Sequence, residues 1–422
     1  MKKFLTLFLT FTMVFTLASC TSKAPETLIE ETKPKEQIEE IIEEVIPEEI
    51  EVKAGVFWYD FSDAFLSTVR DALNSELDAL GIQYTNYDAA STQARQNVQI
   101  ESAIANGVNL LIVNIVDTAA IDAAQNITDI ARVADVPVIF FNREVDDSVI
   151  NSYENACFVG TRAAEAGEAQ GIMIGKYIAE NYDDIDLNCD GYISYIYLVG
   201  EIGCYYSDAT IDVNLEDHPY YAAFTSSQTN VATRLLNITT PKIELICSEA
   251  PDVRSMSVIP YCNAVLTMAN KPELTYYDAN NTDKYQPSNW SKTTAFEIME
   301  TALSTNPMDG DAPIEVVIAN NDDAALGCVE ALNNKGWNTG EGNTIPVFGV
   351  DYTADAAAAI EEGKMVGSIL QSATGMAETI ADLVENVMNG EHVFDGAVEV
   401  FNVDEDANKI RVPYEIKMKE EN

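Results

Sequence analysis

The stretch Asp186-Leu187-Asn188-Cys189-Asp190-Gly191-Tyr192-Ile193-Ser194 sets three oxygen-bearing side chains at alternate positions ahead of a glycine. This D-x-N-x-D-G spacing opens an EF-hand calcium loop, in which a hard cation collects about six to eight oxygens. Asp186, Asn188 and Asp190 would turn inward, Gly191 would allow the sharp turn, Tyr192 would offer its carbonyl and Ile193 would anchor the loop. The twelfth position, acidic in an ordinary EF-hand, is Tyr197, so a carboxylate has to come from elsewhere in the chain. A metal-free Asn/Asp/Gly turn uses the same residue types. Catalytic chemistry finds less to work with. There is no G-x-S-x-G, no Walker loop and no G-x-G-x-x-G after a strand. His218 and His392 are the only histidines, and His218, in HPYY, reads as structural or exposed. Beyond position 20 the cysteines are Cys157, Cys189, Cys204, Cys247, Cys262 and Cys328, none in a C-x-x-C, so no zinc site is indicated and no disulfide pairing follows. Cys157 and Cys328 read as core thiols.

The elements that must carry these residues alternate. Val52–Trp58 is a short apolar run, and over 63–80 Leu66, Val69, Leu73, Leu77 and Leu80 share one helical face closed by Gly81. Strands at 82–88, 109–116 and 137–141 alternate with helices at 92–106 and 119–134; a helix at 163–181 and a strand at 193–199 follow. From Asn289 the order is helix, strand (315–319), helix, strand (345–350), helix, strand, helix. Such alternation predicts βαβ units, hence an α/β protein of two doubly wound parallel-sheet lobes. The stretch 202–288, rich in Asn, Thr, Tyr and Pro, receives no assignment. Ligands of such sheets bind at the carboxyl ends of strands. Tyr59, Asp63, Asn142, Asn321 and Asp351 fall at such ends.

The chain has 422 residues and a formal charge of −45, which argues against nucleic acid as a partner, because that needs clustered Lys and Arg. Met1-Lys2-Lys3, an apolar run at 4–17 and Ala18-Ser19-Cys20 read as an export signal, too short to span a bilayer as an anchor. Leu17-Ala18-Ser19-Cys20 resembles the bacterial lipobox, which implies cleavage before Cys20 and a lipid on its thiol. Residues 21–51 hold eleven Glu and no aromatic residue, and read as an acidic tether. Ile38, Ile41, Ile42, Val45 and Ile46 within it share a helical face.

Several stretches resemble the galactose/glucose-binding members of the ribose/galactose branch of type I periplasmic sugar-binding proteins. They are GVFWYDFSDAF (55–65), GVNLLIVNIVDTAA (107–120), VPVIFFNRE (136–144), FVGTRAAEAG (158–167), DLNCDGYIS (186–194), IEVVIANNDDAALG (314–327), IPVFGVD (345–351) and RVPY (411–414). They recur in order over 52–415, apart from the middle. The resemblance implies two lobes joined by a three-segment hinge that closes on a sugar. Lobe one would be 52–160 plus 373–408, and lobe two 162–370 plus 409–417, after a signal at 1–19 and a tether at 20–51. It also implies a structural Ca²⁺ whose ligands are Asp186, Asn188, Asp190, Tyr192, Ser194 and the distant Glu315; Ser194 stands where the family has Gln and would reach the ion through water.

A pyranose needs planar polar side chains for its hydroxyls and aromatic surface for its C–H faces; charged partners give the stronger hydrogen bonds. By resemblance, Phe65 and Trp290 sandwich the ring, Tyr59 and Asp63 reach one end, and Asn142, Asn321 and Asp351 bind ring hydroxyls. The chain departs from the family after Gly200-Glu201, where Cys204-Tyr205-Tyr206 replaces the expected His-x-Asp-x-x-x-Arg. The best spacing match is Gln228-Thr-Asn230-Val-Ala-Thr-Arg234, which implies insertions within 204–285 and offers Asn230 and Arg234 as binding residues. Gln371 stands where the family has a hinge-side Asn. The expected function is capture of galactose or glucose, without catalysis, by a lipid-anchored, monomeric component of an ABC importer. Its partners would be a permease with its ATPase and, in some systems, a chemoreceptor. A lipoprotein of the same fold that binds another sugar, or none, is the alternative.

Overall fold

The computed structural model of the chain describes residues 51–118, 120–200, 213, 215, 218, 220, 253–281 and 284–419. The first sheet is built from β1 (Lys53–Trp58), β2 (Gln83–Asp88), β3 (Leu110–Val113), β4 (Val138–Phe141) and β5 (Ala156–Gly160), with α1 (Ala64–Leu80), α2 (Gln93–Ala105), α3 (Ile121–Ala134) and the short α4 (Asp147–Ile150) between them. α1 forms where the sequence asks for it. The Asp63 side chain caps its start, Leu66, Val69, Leu73 and Leu77 are buried, and Gly81 ends it in the left-handed region at φ 71°. β3 and β4, buried at every position, are continuous apolar runs, as strands covered on both faces must be.

α5 (Ala163–Ile185) begins the second lobe, followed by β6 (Ser194–Val199), α6 (Val253–Met268), β7 (Thr275–Tyr276), β8 (Gln286–Pro287), α7 (Lys292–Thr305), β9 (Val316–Ala319), α8 (Asp322–Asn334), β10 (Val347–Asp351), α9 (Ala354–Glu361) and β11 (Gly367–Gln371). The chain then returns to lobe one as α10 (Ala373–Met388) and α11 (Ala397–Val400) before β12 (Lys409–Arg411) and β13 (Tyr414–Met418). The strand orders are β12-β5-β4-β3-β1-β2 and β13-β11-β10-β9-β6-β7, with β8 also on β6. The pairings are parallel except β11 with β13. Each sheet is covered on both faces by apolar clusters, α1 and α10 sharing one of them. Cys157, Cys262 and Cys328 are buried free thiols.

One expectation changes, and one unassigned stretch gains an element. Residues 409–411, expected in lobe two, belong to lobe one: β12 pairs with β5, through Lys409–Phe158, Ile410–Val159 and Arg411–Gly160, and the crossing to the second sheet falls between Arg411 and Tyr414. Within the unassigned middle, Val253–Met268 is a helix laid directly on α5. The contact is close because α5 presents Gly167, Gly171 and Gly175 on one face. A Cβ at Gly167 would stand 2.1 Å from the Arg254 carbonyl oxygen, and one at Gly171 2.4 Å from that of Val258. This approach fixes the start of α6, and with it Arg254. Among the described residues no helix is long and apolar enough to cross a membrane.

Candidate functional site

A cavity of about 470 Å³ opens where the carboxyl ends of both sheets meet the three crossovers. Its lobe-one wall starts just beyond β1. The Asp63 carboxylate accepts from the Leu66 N–H at 2.8 Å and from the Tyr59 hydroxyl at 2.6 Å, so one side chain both caps α1 and orients the phenol. Burial, then the neighbouring Asp63, hold the Tyr59 phenol well above its ordinary range. The Arg143 guanidinium lies 4.5 Å from the centre of the Tyr59 ring and donates to the Val116 carbonyl at 3.0 Å. Asn142 sits in the left-handed region at φ 60°, and its Oδ1 accepts from Asn114 at 3.2 Å. Phe65, on the first turn of α1, is 8% exposed and joins the same lining.

The facing wall comes from lobe two. Asn289 and Trp290 both have positive φ, 51° and 60°, a conformation a bulky residue rarely adopts. The Trp290 indole lies against Gly200, where a Cβ would come within 2.1 Å of it, and its buried Nε1 has no hydrogen-bond partner among the described residues. The Arg254 guanidinium stands 5.7 Å from the indole and donates to the Asn320 carbonyl at 3.2 Å. Asn321 caps α8 by accepting from the Ala324 N–H at 3.1 Å, and its amide donates to the Trp290 carbonyl at 3.2 Å, which ties the aromatic plate to the helix start. Asp351 ends β10 at φ 107°. Behind it Asp322 is fully buried, accepting from the Thr353 N–H at 2.6 Å and the Ser368 hydroxyl at 2.7 Å. Burial outweighs those donors and raises the Asp322 carboxyl to about 7. Asp351 is held well above the ordinary carboxylate range, first by enclosure and then by Asp322, with Arg254 pulling the other way.

Eight expected binding residues therefore line one cavity: Tyr59, Asp63, Phe65, Asn142, Trp290, Asn321, Asp351 and Gln371. Asn230 and Arg234 lie outside the described residues. Arg143 and Arg254, not among the expected binding residues, also line it. Arg254 had a signal: it is the only basic residue between Lys242 and Lys271, and it opens an apolar run. Thr161, 5% exposed, completes the wall at the first crossover.

The loop 186–194 lies away from this cavity. The Asp186 carboxylate accepts from the N–H groups of Asp190 and Gly191, at 3.1 and 2.9 Å, and Asp190 from that of Tyr192 at 2.8 Å. Glu315, 1% exposed, accepts from the N–H groups of Leu187 and Ser194, both at 2.7 Å, and so bridges the two ends of the loop. Burial holds Glu315 above the usual carboxylate range against those donors. The Ser194 hydroxyl donates to the Pro313 carbonyl. The donor set is oxygen throughout, as calcium requires. Among the described residues, however, no three His, Cys, Asp or Glu side chains converge closely enough to hold an ion.

Residues 54–215 and 223–392 match the model of the periplasmic binding protein domain family. The chain is 28% identical over 345 residues to a D-galactose/methyl-galactoside-binding periplasmic protein of Haemophilus influenzae, covering 82% of this chain and 84% of that one. It is 19% identical to a ribose import binding protein of Bacillus subtilis, covering 81% and 84%. A solute-binding protein of a Bacillus halodurans ABC transporter, with bound myo-inositol, superposes with a TM-score of 0.57 at 20% identity, covering 88% and 96%.

Proposed function

The chain belongs to the periplasmic binding protein domain family, and we propose that it is the exported sugar-capturing component of an ABC importer, with a pyranose of the galactose/glucose type as ligand. The observation that carries this reading is the single cavity in which aromatic plates, Phe65 and Trp290, share a lining with planar hydrogen-bonding side chains from both lobes. Aromatic faces cover the C–H surfaces of a sugar ring. Asp63, Asn142, Arg254, Asn321 and Asp351 supply donors and acceptors for neighbouring hydroxyls, and a sugar lacking one of those hydroxyls would leave a buried group unpaired. The names of the relatives support a sugar and a transporter in kind. They differ in the sugar, so galactose or glucose rests on the residues matched at the cavity.

The work is capture without chemistry. The lobes open and close about the crossovers, the ligand bridges walls that meet only when closed, and its binding shifts the population toward the closed form. That form would dock on a permease driven by an ATPase and, in some systems, on a chemoreceptor. Cys20 would carry the lipid that holds the exported chain at the membrane surface; it lies outside the described residues. Calorimetric titration with D-galactose, D-glucose, ribose, arabinose and myo-inositol tests the reading. One-to-one binding of galactose or glucose, lost in Asp351→Ala, is expected. Tight binding of only another sugar would move the specificity, and silence toward all five in folded protein would refute capture.

Calcium at the 186–194 loop belongs to the same proposal. Asp186, Asn188, Asp190, the Tyr192 carbonyl, Ser194 through water and Glu315 would hold it, and it would supply cross-linking of the loop to β9 rather than contact with the sugar. The all-oxygen donor set and the bridging position of Glu315 support this. A rise in melting temperature with Ca²⁺, reversed by chelator and abolished in Glu315→Gln, is the expected result. No shift with Ca²⁺ in folded protein would leave the loop a hydrogen-bonded turn.

A further inference from the structure

The described residues of the 204–226 stretch do not stand clear of lobe two. Val213 and Leu215 are buried among Ile172 of α5 and Tyr261, Ala264 and Val265 of α6. His218, 8% exposed, brings Nε2 to 2.8 Å from a Glu168 carboxylate oxygen. Tyr220 reaches further. Its hydroxyl lies 2.6 Å from the Tyr414 carbonyl oxygen and 3.0 Å from Oε1 of Glu165 on the first turn of α5.

Tyr414 is the residue at which the third crossover enters the second sheet. Its own hydroxyl stands 2.6 Å from that of Thr161, a cavity-wall residue in the first crossover. On the lobe-one side Arg411, 7% exposed, is held by Glu144 at 2.7 Å, by Asp404 and by the Thr161 carbonyl at 3.0 Å. Both ends of the third crossover are thus clamped, leaving Val412 and Pro413 as the link between them. The ring of Pro413 fixes its φ and shortens that link further.

We propose that Tyr220 is a positioning residue for ligand capture. Its one O–H, shared between the Tyr414 carbonyl and the Glu165 carboxylate, pins the third crossover beside the start of α5, and so sets how far and how often the lobes open. The inference rests on the reading that the lobes close on a ligand. It adds that Tyr220, which does not line the cavity, tunes that closure. Removing the hydroxyl frees the Tyr414 carbonyl, lengthens the mobile part of the crossover and favours the open population. That population lowers apparent affinity in proportion to the closed fraction lost.

The test compares the unaltered chain with Tyr220→Phe, which keeps the ring and its packing, and Tyr414→Phe, which cuts the contact to Thr161. Amide hydrogen exchange is measured without ligand, and sugar affinity by titration. The expected result is faster exchange confined to 160–163 and 411–415, where the Val412 N–H donates to the Gly160 carbonyl at 2.8 Å. Exchange in α5 and α6 stays unchanged, and sugar binding weakens about three- to tenfold, the worth of one neutral hydrogen bond. Unchanged exchange at both crossovers in Tyr220→Phe, with normal sugar binding, overturns the brace alone. Exchange rising equally across α5 and α6 also overturns it, by showing a plain packing role. Failure of the unaltered chain to bind any sugar overturns the capture reading, and with it the purpose given to the brace.

Discussion

Asp322 offers a perturbation whose sign and size follow from its surroundings. The carboxyl is fully buried behind Asp351 and accepts from the Thr353 N–H and the Ser368 hydroxyl, and burial outweighs these donors and raises it to about 7. In the unfolded chain it titrates near the ordinary value of about 3.9. The folded protein therefore binds the proton more tightly. The stabilisation this gives is fully present below the unfolded value and is lost as pH rises through about 7. One pH unit corresponds to about 1.4 kcal/mol. Between pH 5 and 7, where the group becomes half ionised, the contribution lost is about 2 kcal/mol, and Asp351, raised by burial and then by the same neighbour, acts in the same direction. Asp322→Asn preserves shape and removes the titration. Urea unfolding of the unliganded protein at pH 5, 6, 7 and 8, beside this variant, reads the titration of Asp322 together with its effect on Asp351. The variant is expected to gain on the unaltered protein as pH rises, by about 2–3 kcal/mol over the series. A difference that stays constant within about 0.5 kcal/mol from pH 5 to 8 would show that the buried acid is ionised throughout, and would refute the reasoning.

Trp290→Ala removes the aromatic plate over Gly200 and is expected to weaken sugar binding about a hundredfold while leaving thermal stability within a few degrees, read by calorimetry and melting. Gly167→Val drives a side chain into the Arg254 carbonyl; it should cost at least about 1–3 kcal/mol in urea unfolding and weaken binding through displacement of Arg254. Arg411→Ala leaves Glu144 to Lys409 alone and Asp404 to the exposed Arg162, and should destabilise by about 1.5–3 kcal/mol, more than Lys335→Ala at the exposed Glu300 pair, which should cost under about 1 kcal/mol.

Much of the architecture was legible in the chain because it rests on local periodicity. Alternating apolar strands and amphipathic helices predict the βαβ order, and caps such as Asp63 and Gly81 mark the ends of α1 with no reference to distant residues. The cavity residues at strand ends were legible for the same reason. Strand ends are where such sheets expose side chains, and Tyr59, Asp63, Asn142, Asn321 and Asp351 sit there. What the sequence could not decide depends on contacts between distant segments. Lys409–Arg411 follows a long return through lobe one, and only pairing with β5 shows which sheet it joins. Arg254 is one arginine in an irregular stretch until the glycine face of α5 draws α6 in and carries its guanidinium over Trp290. The positive φ of Trp290 and Asp351, the burial of Asp322 and the reach of Tyr220 to Tyr414 likewise exist only once the lobes are assembled. Propensity and spacing act over a few residues and can be read along the chain. Desolvation, close approach and long-range hydrogen bonds arise from packing between segments far apart in sequence, and here they decide how the cavity is shaped and charged.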